Sequence, residues 1–162
     1  LRSDKDRAEN VMITDLLRND LGRFCEPGSV KVTELCGLYS FDNVHHLIST
    51  ITGRLASGIS AGNVMIASSP GGSITGAPKK RAVEIIAELE PHTRGAYCGS
   101  LFAMTGNGWL QSSIAIRTLE AKGTSLYCWG GGGITASSHW EAEYQETLDK
   151  IGPIMKALEA PH

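Results

Sequence analysis

Trp109-Leu110-Gln111-Ser112-Ser113-Ile114-Ala115-Ile116-Arg117-Thr118-Leu119-Glu120 is followed by Ala121-Lys122-Gly123-Thr124 and then by Ser125-Leu126-Tyr127-Cys128-Trp129. Two runs rich in β-branched and aromatic residues, separated by a glycine-containing turn, predict paired strands. Upstream, Tyr97 to Thr105 reads as another strand that turns at Gly106-Asn107-Gly108, so the region is expected to form an antiparallel meander. Outside it the periodicity changes. Asp4 to Leu21 places Ala8, Met12, Ile13, Leu16 and Leu17 on an apolar stripe bordered by Glu9, and His139 to Leu158 does so with Trp140, Tyr144, Leu148, Ile151 and Met155, with a kink expected at Gly152-Pro153. Ala61 to Ser68 and Ala77 to Leu89 also read as helices, the latter with Thr75 as its cap, Pro78 in its first turn and Pro91 after its end. After the Pro27-Gly28 turn, Ser29 to Phe41 and Val44 to Leu55 read as strands joined near Asp42-Asn43. Strands grouped between helices, without regular alternation, predict an α+β fold.

The 162 residues carry a net charge of -2, with 41% hydrophobic and 20% charged residues. This suits one packed domain and provides no basic field for a nucleic acid. Cys25, Cys36, Cys98 and Cys128 form no Cys-x-x-Cys pair, which fits a reduced, cytoplasmic protein. No apolar run reaches the roughly 20 residues of a membrane span, and the polar start is not a signal peptide.

In the last helical segment Glu143, Glu146 and Lys150 fall on one face. The same spacing describes a solvated, salt-bridged surface. Glu9, with Asp6 one turn earlier, offers a further carboxylate on a second helix, and hard oxygen ligands from two helices suit a magnesium ion. Those two acids also suit a helix N-terminus on electrostatic grounds alone. Gly71-Gly72-Ser73-Ile74-Thr75-Gly76-Ala77-Pro78-Lys79 lacks the Lys-Ser/Thr ending of an ATP-binding phosphate loop, which excludes that reading. A small-residue loop entering a helix can still receive a carboxylate, or serve only as a turn. Strict alternation through Ser113-Ile114-Ala115-Ile116-Arg117 would set Arg117 beside Ser113 and Ala115, ready for a bidentate carboxylate or a cross-strand ion pair. Gly130 to Gly133 permits close backbone approach, or plain flexibility. Adjacent His45 and His46 point to opposite strand faces and cannot chelate one ion together.

Ala8-Glu9-Asn10, Asp15-Leu16-Leu17-Arg18-Asn19-Asp20, Pro27-Gly28-Ser29-Val30, His45-His46-Leu47, Gly72 to Lys79, Ile116-Arg117 and Ala142-Glu143-Tyr144-Gln145-Glu146-Thr147 occur in this order. Together they resemble the chorismate-utilising enzymes: anthranilate synthase, aminodeoxychorismate synthase component I, isochorismate synthase and salicylate synthase. The resemblance covers nearly the whole chain. The Gly71 to Gly76 loop and Glu143 to Thr147 look most like the aminodeoxychorismate-forming members, where anthranilate synthases usually carry a Gly-Thr-Leu-Ser-Gly type of loop.

The resemblance implies that residues 1–162 are an incomplete, C-terminal portion of a chorismate-binding catalytic domain, with the anthranilate synthase component I-like fold of antiparallel strands and packed helices. It implies that Glu9, Glu143 and Glu146 converge on Mg2+, which holds the ring carboxylate, and that Lys150 supports them. Arg117, Tyr97, Gly131, Gly132 and Gly133 would receive the enolpyruvyl carboxylate, while His46, Thr75 and Gly76 face the ring. The implied reaction is amination of chorismate with ammonia from a glutamine amidotransferase subunit or domain. The subfamily's nucleophilic lysine lies in a Pro-Ile-Lys-Gly-Thr motif that these residues do not contain, so the chain alone is expected to be inactive. Leu110-Gln111-Ser112 stands where Met-Asp-Thr is usual, and Ser137 where Asp is usual. Anthranilate synthase component I and a non-catalytic metal- or ligand-binding module are the competing readings.

Overall fold

A computed structural model describes residues 4–41, 44–136 and 138–159. The junction at Asp42-Asn43 and the Ser137 departure lie outside the described residues. The chain divides into two compact units, Leu1–Pro91 with Phe102–Gln111, and His92–Leu101 with Ser112–His162.

The first unit contains helix α1 (Asp4–Gly22), strands β1 (Lys31–Phe41) and β2 (Val44–Thr52), helices α2 (Ala61–Ser68) and α3 (Gly72–Thr75), and helix α4 (Lys79–Leu89). β1 and β2 form an antiparallel ribbon with Tyr39 opposite His46 and Ser40 opposite His45. Its register shifts between Glu34 and Gly37, where Cys36 takes a left-handed φ of 52° and is only 2% exposed. A bulge leaves backbone groups out of the ladder. Here the Cys36 N–H donates to Ser49 Oγ (2.9 Å).

α1 packs on this ribbon through a polar side chain. Asn10 Nδ2 donates to the Leu47 carbonyl (2.9 Å), and Asn10 Oδ1 accepts from Ser49 Oγ (2.5 Å) and Cys36 Sγ (3.3 Å). The buried side of the helix therefore includes Thr14 and Asp20, while Met12 and Leu17 of the expected apolar stripe remain 47% and 40% exposed. α2 is closed by a reciprocal cap between Ser60 and Asn63.

Strands β3 (Ser100–Met104) and β4 (Leu110–Ile114) pair with each other, as do β5 (Thr118–Lys122) and β6 (Ser125–Trp129). The expected continuous strand from Trp109 to Glu120 is thus broken, and two hairpins replace the meander. Arg117 supplies the reason: its φ of 49° is left-handed, and the Ile116 N–H turns back to Ile114 O (3.1 Å). The alternation argument that set Arg117 beside Ser113 and Ala115 fails with the extended backbone it required. Helix α5 (Trp140–Glu159) completes the second unit and continues through Pro153.

Thr75 does not cap α4. Its hydroxyl donates to Gly71 O (3.1 Å), and the helix starts at Lys79 after Pro78, with no side-chain cap. α3, unforeseen from the sequence, stands within the stretch read as a small-residue loop. Among the described residues no helix is long and apolar enough to cross a membrane.

Asn10→Ala strands the Leu47 carbonyl and two donors, each a loss of up to a few kcal/mol, so urea unfolding should show the chain destabilised by about 2–3 kcal/mol. A change under about 0.5 kcal/mol would remove the network from the fold's foundations. A second expectation concerns Tyr39, whose hydroxyl donates to Glu34 Oε2 (2.7 Å) and whose pKa is raised by that hydrogen bond and by the carboxylate charge. Because the folded-state pKa is raised, the bond's contribution is present below the ordinary tyrosine range and is lost as pH rises through the folded value. The phenolate absorbance difference between wild type and Tyr39→Phe should appear above the ordinary range, and Glu34→Gln should return it downward.

Candidate functional site

The second unit gathers its chemistry where β6 runs into the glycines. Trp129, the last residue of β6, stacks on Tyr97 with centroids 5.8 Å apart and planes 14° apart. The Arg94 guanidinium lies 5.8 Å from the centroid of the Tyr97 ring. The Tyr97 hydroxyl in turn lies against the next stretch of backbone: a Cβ on Gly131 would sit 2.6 Å from it. A Cβ on Gly130 would overlap Ile151 Cγ2, and one on Gly132 would be 3.3 Å from Glu143 Oε2 and 4.0 Å from Lys150 Nζ. Close approach, not free rotation, accounts for this run of glycines.

α5 presents Glu143, Glu146, Thr147 and Lys150 on the face that meets Gly130–Gly132, as three- and four-residue spacing dictates. Glu143 is 5% exposed, and its Oε1 accepts from Ser138 Oγ (2.5 Å). The hydroxyl is itself fixed, because Ser138 Oγ accepts from the Thr135 N–H (3.0 Å) and the Ser138 N–H donates to Thr135 O (3.0 Å). Lys150 Nζ donates to Glu146 Oε1 (2.6 Å) and to Gly131 O (3.2 Å). The lysine thereby ties the glycine backbone to a helix carboxylate. The solvated-face reading of this spacing does not describe Glu143, which is buried.

The remaining sequence-predicted residues are distributed as follows. Glu9 is half-buried on α1, beside Asn10, in the first unit. His46 is exposed on β2, its ring edge-on to Phe41 at 5.8 Å, while His45 Nδ1 lies 2.9 Å from Ser40 Oγ. Thr75 and Gly76 close α3, with Gly76 at a φ of 105°. Arg117 is exposed and forms no ion pair among the described residues, so the cross-strand pair is not made. Gly133 follows the close-packed glycines and is half-buried. The second unit thus joins Tyr97, Gly131, Gly132, Glu143, Glu146 and Lys150, but not Arg117 by the route expected.

Sequence reasoning missed Ser138 and Trp129. A serine immediately before the helix start predicted at His139 was a visible signal for the first. The tryptophan's role needed the Tyr97 contact, which no local pattern encodes.

Among the described residues no group of three or more His, Cys, Asp or Glu stands ready as a metal cage. The second unit instead supplies two carboxylates one helical turn apart, one already oriented by Ser138. Hard oxygen donors in that number fit magnesium, which binds through one or two carboxylates and keeps several waters.

A family model described as "chorismate binding enzyme" matches residues 1–156. The chain is 56% identical over 158 residues to aminodeoxychorismate synthase component 1 of Klebsiella aerogenes, covering 98% of this chain and 35% of the relative. It is 55% identical over 157 residues to the protein of that name from Escherichia coli K12, covering 97% and 35%. The crystal structure of anthranilate synthase component I from Streptococcus pneumoniae superposes with a TM-score of 0.84 at 40% identity, covering 93% of this chain and 34% of that one. The chain therefore spans about a third of the length of these curated relatives.

The packing at the glycines yields a paired test. Gly130→Ala, which drives a methyl into Ile151, should destabilise the chain by about 1–3 kcal/mol, while Gly106→Ala in open space should stay within about 0.5 kcal/mol. Equal effects of the two in thermal or urea unfolding would contradict the close approach of α5.

Proposed function

The chain belongs to the chorismate-binding enzyme family, and from that premise we propose that it supplies the metal- and carboxylate-binding part of an enzyme that converts chorismate to 4-amino-4-deoxychorismate. The observation that carries this reading is the buried, hydroxyl-oriented carboxylate of Glu143 on the same helix face as Glu146 and Lys150. Burying a charge is costly unless something repays it. A carboxylate held this way suits a cationic ligand better than it suits a surface ion pair.

In this reading Glu9, Glu143 and Glu146 would hold Mg2+. When bound, the ion would supply Lewis-acid polarisation and an anchor for an anionic ring substituent. The other roles belong to this chain. Lys150 orients Glu146 while fixing the Gly131 carbonyl. The Tyr97 hydroxyl, the Gly131–Gly133 backbone and the exposed Arg117 guanidinium receive the enolpyruvyl carboxylate. His46, Thr75 and Gly76 face the ring. The Gly72-Ser73-Ile74-Thr75-Gly76 loop supports amination over the anthranilate-forming reaction.

Amination exchanges the 4-hydroxyl of chorismate for an amino group, with ammonia delivered by a separate glutamine amidotransferase and water released. The nucleophilic lysine motif is not among these residues. The chain by itself is accordingly assigned binding and not turnover.

Titration of the purified chain with chorismate by calorimetry, with and without magnesium, tests the assignment. Affinity should depend on magnesium and fall by about tenfold or more, roughly 1.4 kcal/mol, in Glu143→Gln and in Glu146→Gln, with circular dichroism unchanged. Wild-type affinity in both variants, or binding indifferent to magnesium, would overturn it.

A further inference from the structure

Lys79 and Asp20 belong to no role assigned so far, yet they form the most enclosed ion pair among those described. Lys79 Nζ lies 2.9 Å from Asp20 Oδ2, with side-chain exposures of 28% and 11%. The same ammonium donates to the Ser68 carbonyl (3.2 Å), which ends α2. Asp20 lies one helical turn beyond Leu16 on α1, and Leu16 touches the other end of the segment: a Cβ added at Gly72 would stand 3.4 Å from Leu16 Cβ. Residues four apart share a helix face. One face of α1 therefore grips residues 72–79 at both ends, by contact at Gly72 and by charge at Lys79.

Between the two grips the backbone is rich in glycine. Gly71, Gly72 and Gly76 carry no side chains, and the local hydrogen bonds include Ile74 N–H to Gly71 O (3.2 Å), Gly76 N–H to Gly72 O (2.8 Å) and the Thr75 hydroxyl to Gly71 O (3.1 Å) and Gly76 O (3.4 Å). Glycine-rich backbone loses much conformational freedom on ordering. An external restraint shifts that cost from ligand binding to folding. The second unit uses the same device, where Lys150 bridges the Glu146 carboxylate and the Gly131 carbonyl beside another glycine run.

We propose that Lys79 and Asp20 are positioning residues, an ion-pair clamp that holds the Gly72–Gly76 loop in its ligand-ready form on α1. The proposal rests on the reading in which Thr75 and Gly76 face chorismate. The clamp acts through the loop and touches no ligand itself.

Two measurements on the chain separate the proposal from that reading. Amide hydrogen exchange by NMR should show Ile74 and Gly76 losing protection by about tenfold or more in Lys79→Met and in Asp20→Asn, while β1, β2 and α5 keep theirs. Lys79→Arg, which preserves the charge and reach, should restore protection. Chorismate affinity with magnesium should fall about tenfold in Lys79→Met and recover in Lys79→Arg. Unchanged exchange at Ile74 and Gly76 in both charge-removing variants overturns the clamp. Faster exchange with unaltered chorismate affinity, in a chain where Thr75→Val does weaken binding, overturns its positioning role. If no form of the chain binds chorismate, the functional reading fails and with it the positioning role, while exchange still decides whether the clamp exists. Asp20→Asn keeps side-chain volume, so it provides a folded variant should Lys79→Met lose global structure.

Discussion

The carboxylate of Glu143 imposes the tightest condition on the second unit. At 5% exposure it has given up nearly all contact with water, and an ionised group in that state must be repaid by hydrogen bonds or cations. The surroundings follow from that requirement. Ser138 aims its hydroxyl at Oε1, Thr135 fixes Ser138, and Lys150 stands nearby with its ammonium on Glu146 and Gly131. Three different groups crowd the glycines at positions 130–132: Ile151 of α5 stands against Gly130, the Tyr97 hydroxyl against Gly131, and Glu143 Oε2 against Gly132.

The same inversion runs through both long helices. Amphipathic helices ordinarily bury the apolar stripe. α1 instead engages its ribbon with Asn10 and buries Thr14 and Asp20, and α5 buries Glu143 while Trp140 and Tyr144 remain 74% and 62% exposed. Polar contacts of this kind give direction where apolar packing gives bulk. An Asn10 that satisfies three partners fixes one rotation of α1 on the ribbon, since any other leaves buried groups unpaired.

Element types were legible in the sequence because period and punctuation carried them. α2 begins and ends where predicted, and α5 follows the predicted span within two residues. The failures have a common cause in single backbone angles. Arg117 breaks a strand that its β-branched neighbours favour, because a left-handed φ at a non-glycine residue is imposed by its surroundings and leaves no mark in local composition. Cys36, also at a left-handed φ, shifts the register of β1 without breaking the strand. The helix faces were misjudged for a related reason: hydrophobic spacing identifies the apolar side but not the side that meets the rest of the unit. The site itself was visible where chemistry and spacing coincide, as at Glu143, Glu146 and Lys150. It was hidden where a contact joins distant segments, as between Trp129 and Tyr97.

Two glycine-rich stretches, each tied down by a lysine, express one solution to one physical conflict. A backbone that other groups approach closely needs glycine, and glycine makes that backbone hard to hold. Charge from a helix resolves the conflict without placing a side chain in the way. Lys79 reaches Asp20 and Ser68 O, and Lys150 reaches Glu146 and Gly131 O, each ammonium divided between one carboxylate and one carbonyl. The long aliphatic stem lets the anchoring charge stand on a helix while the tethered carbonyl lies in a loop or at a loop's edge. Exposure weakens such a pair and burial makes it costly. At 28% side-chain exposure both lysines lie between those limits, where an ion pair can still direct a loop without demanding that the whole core be built around it.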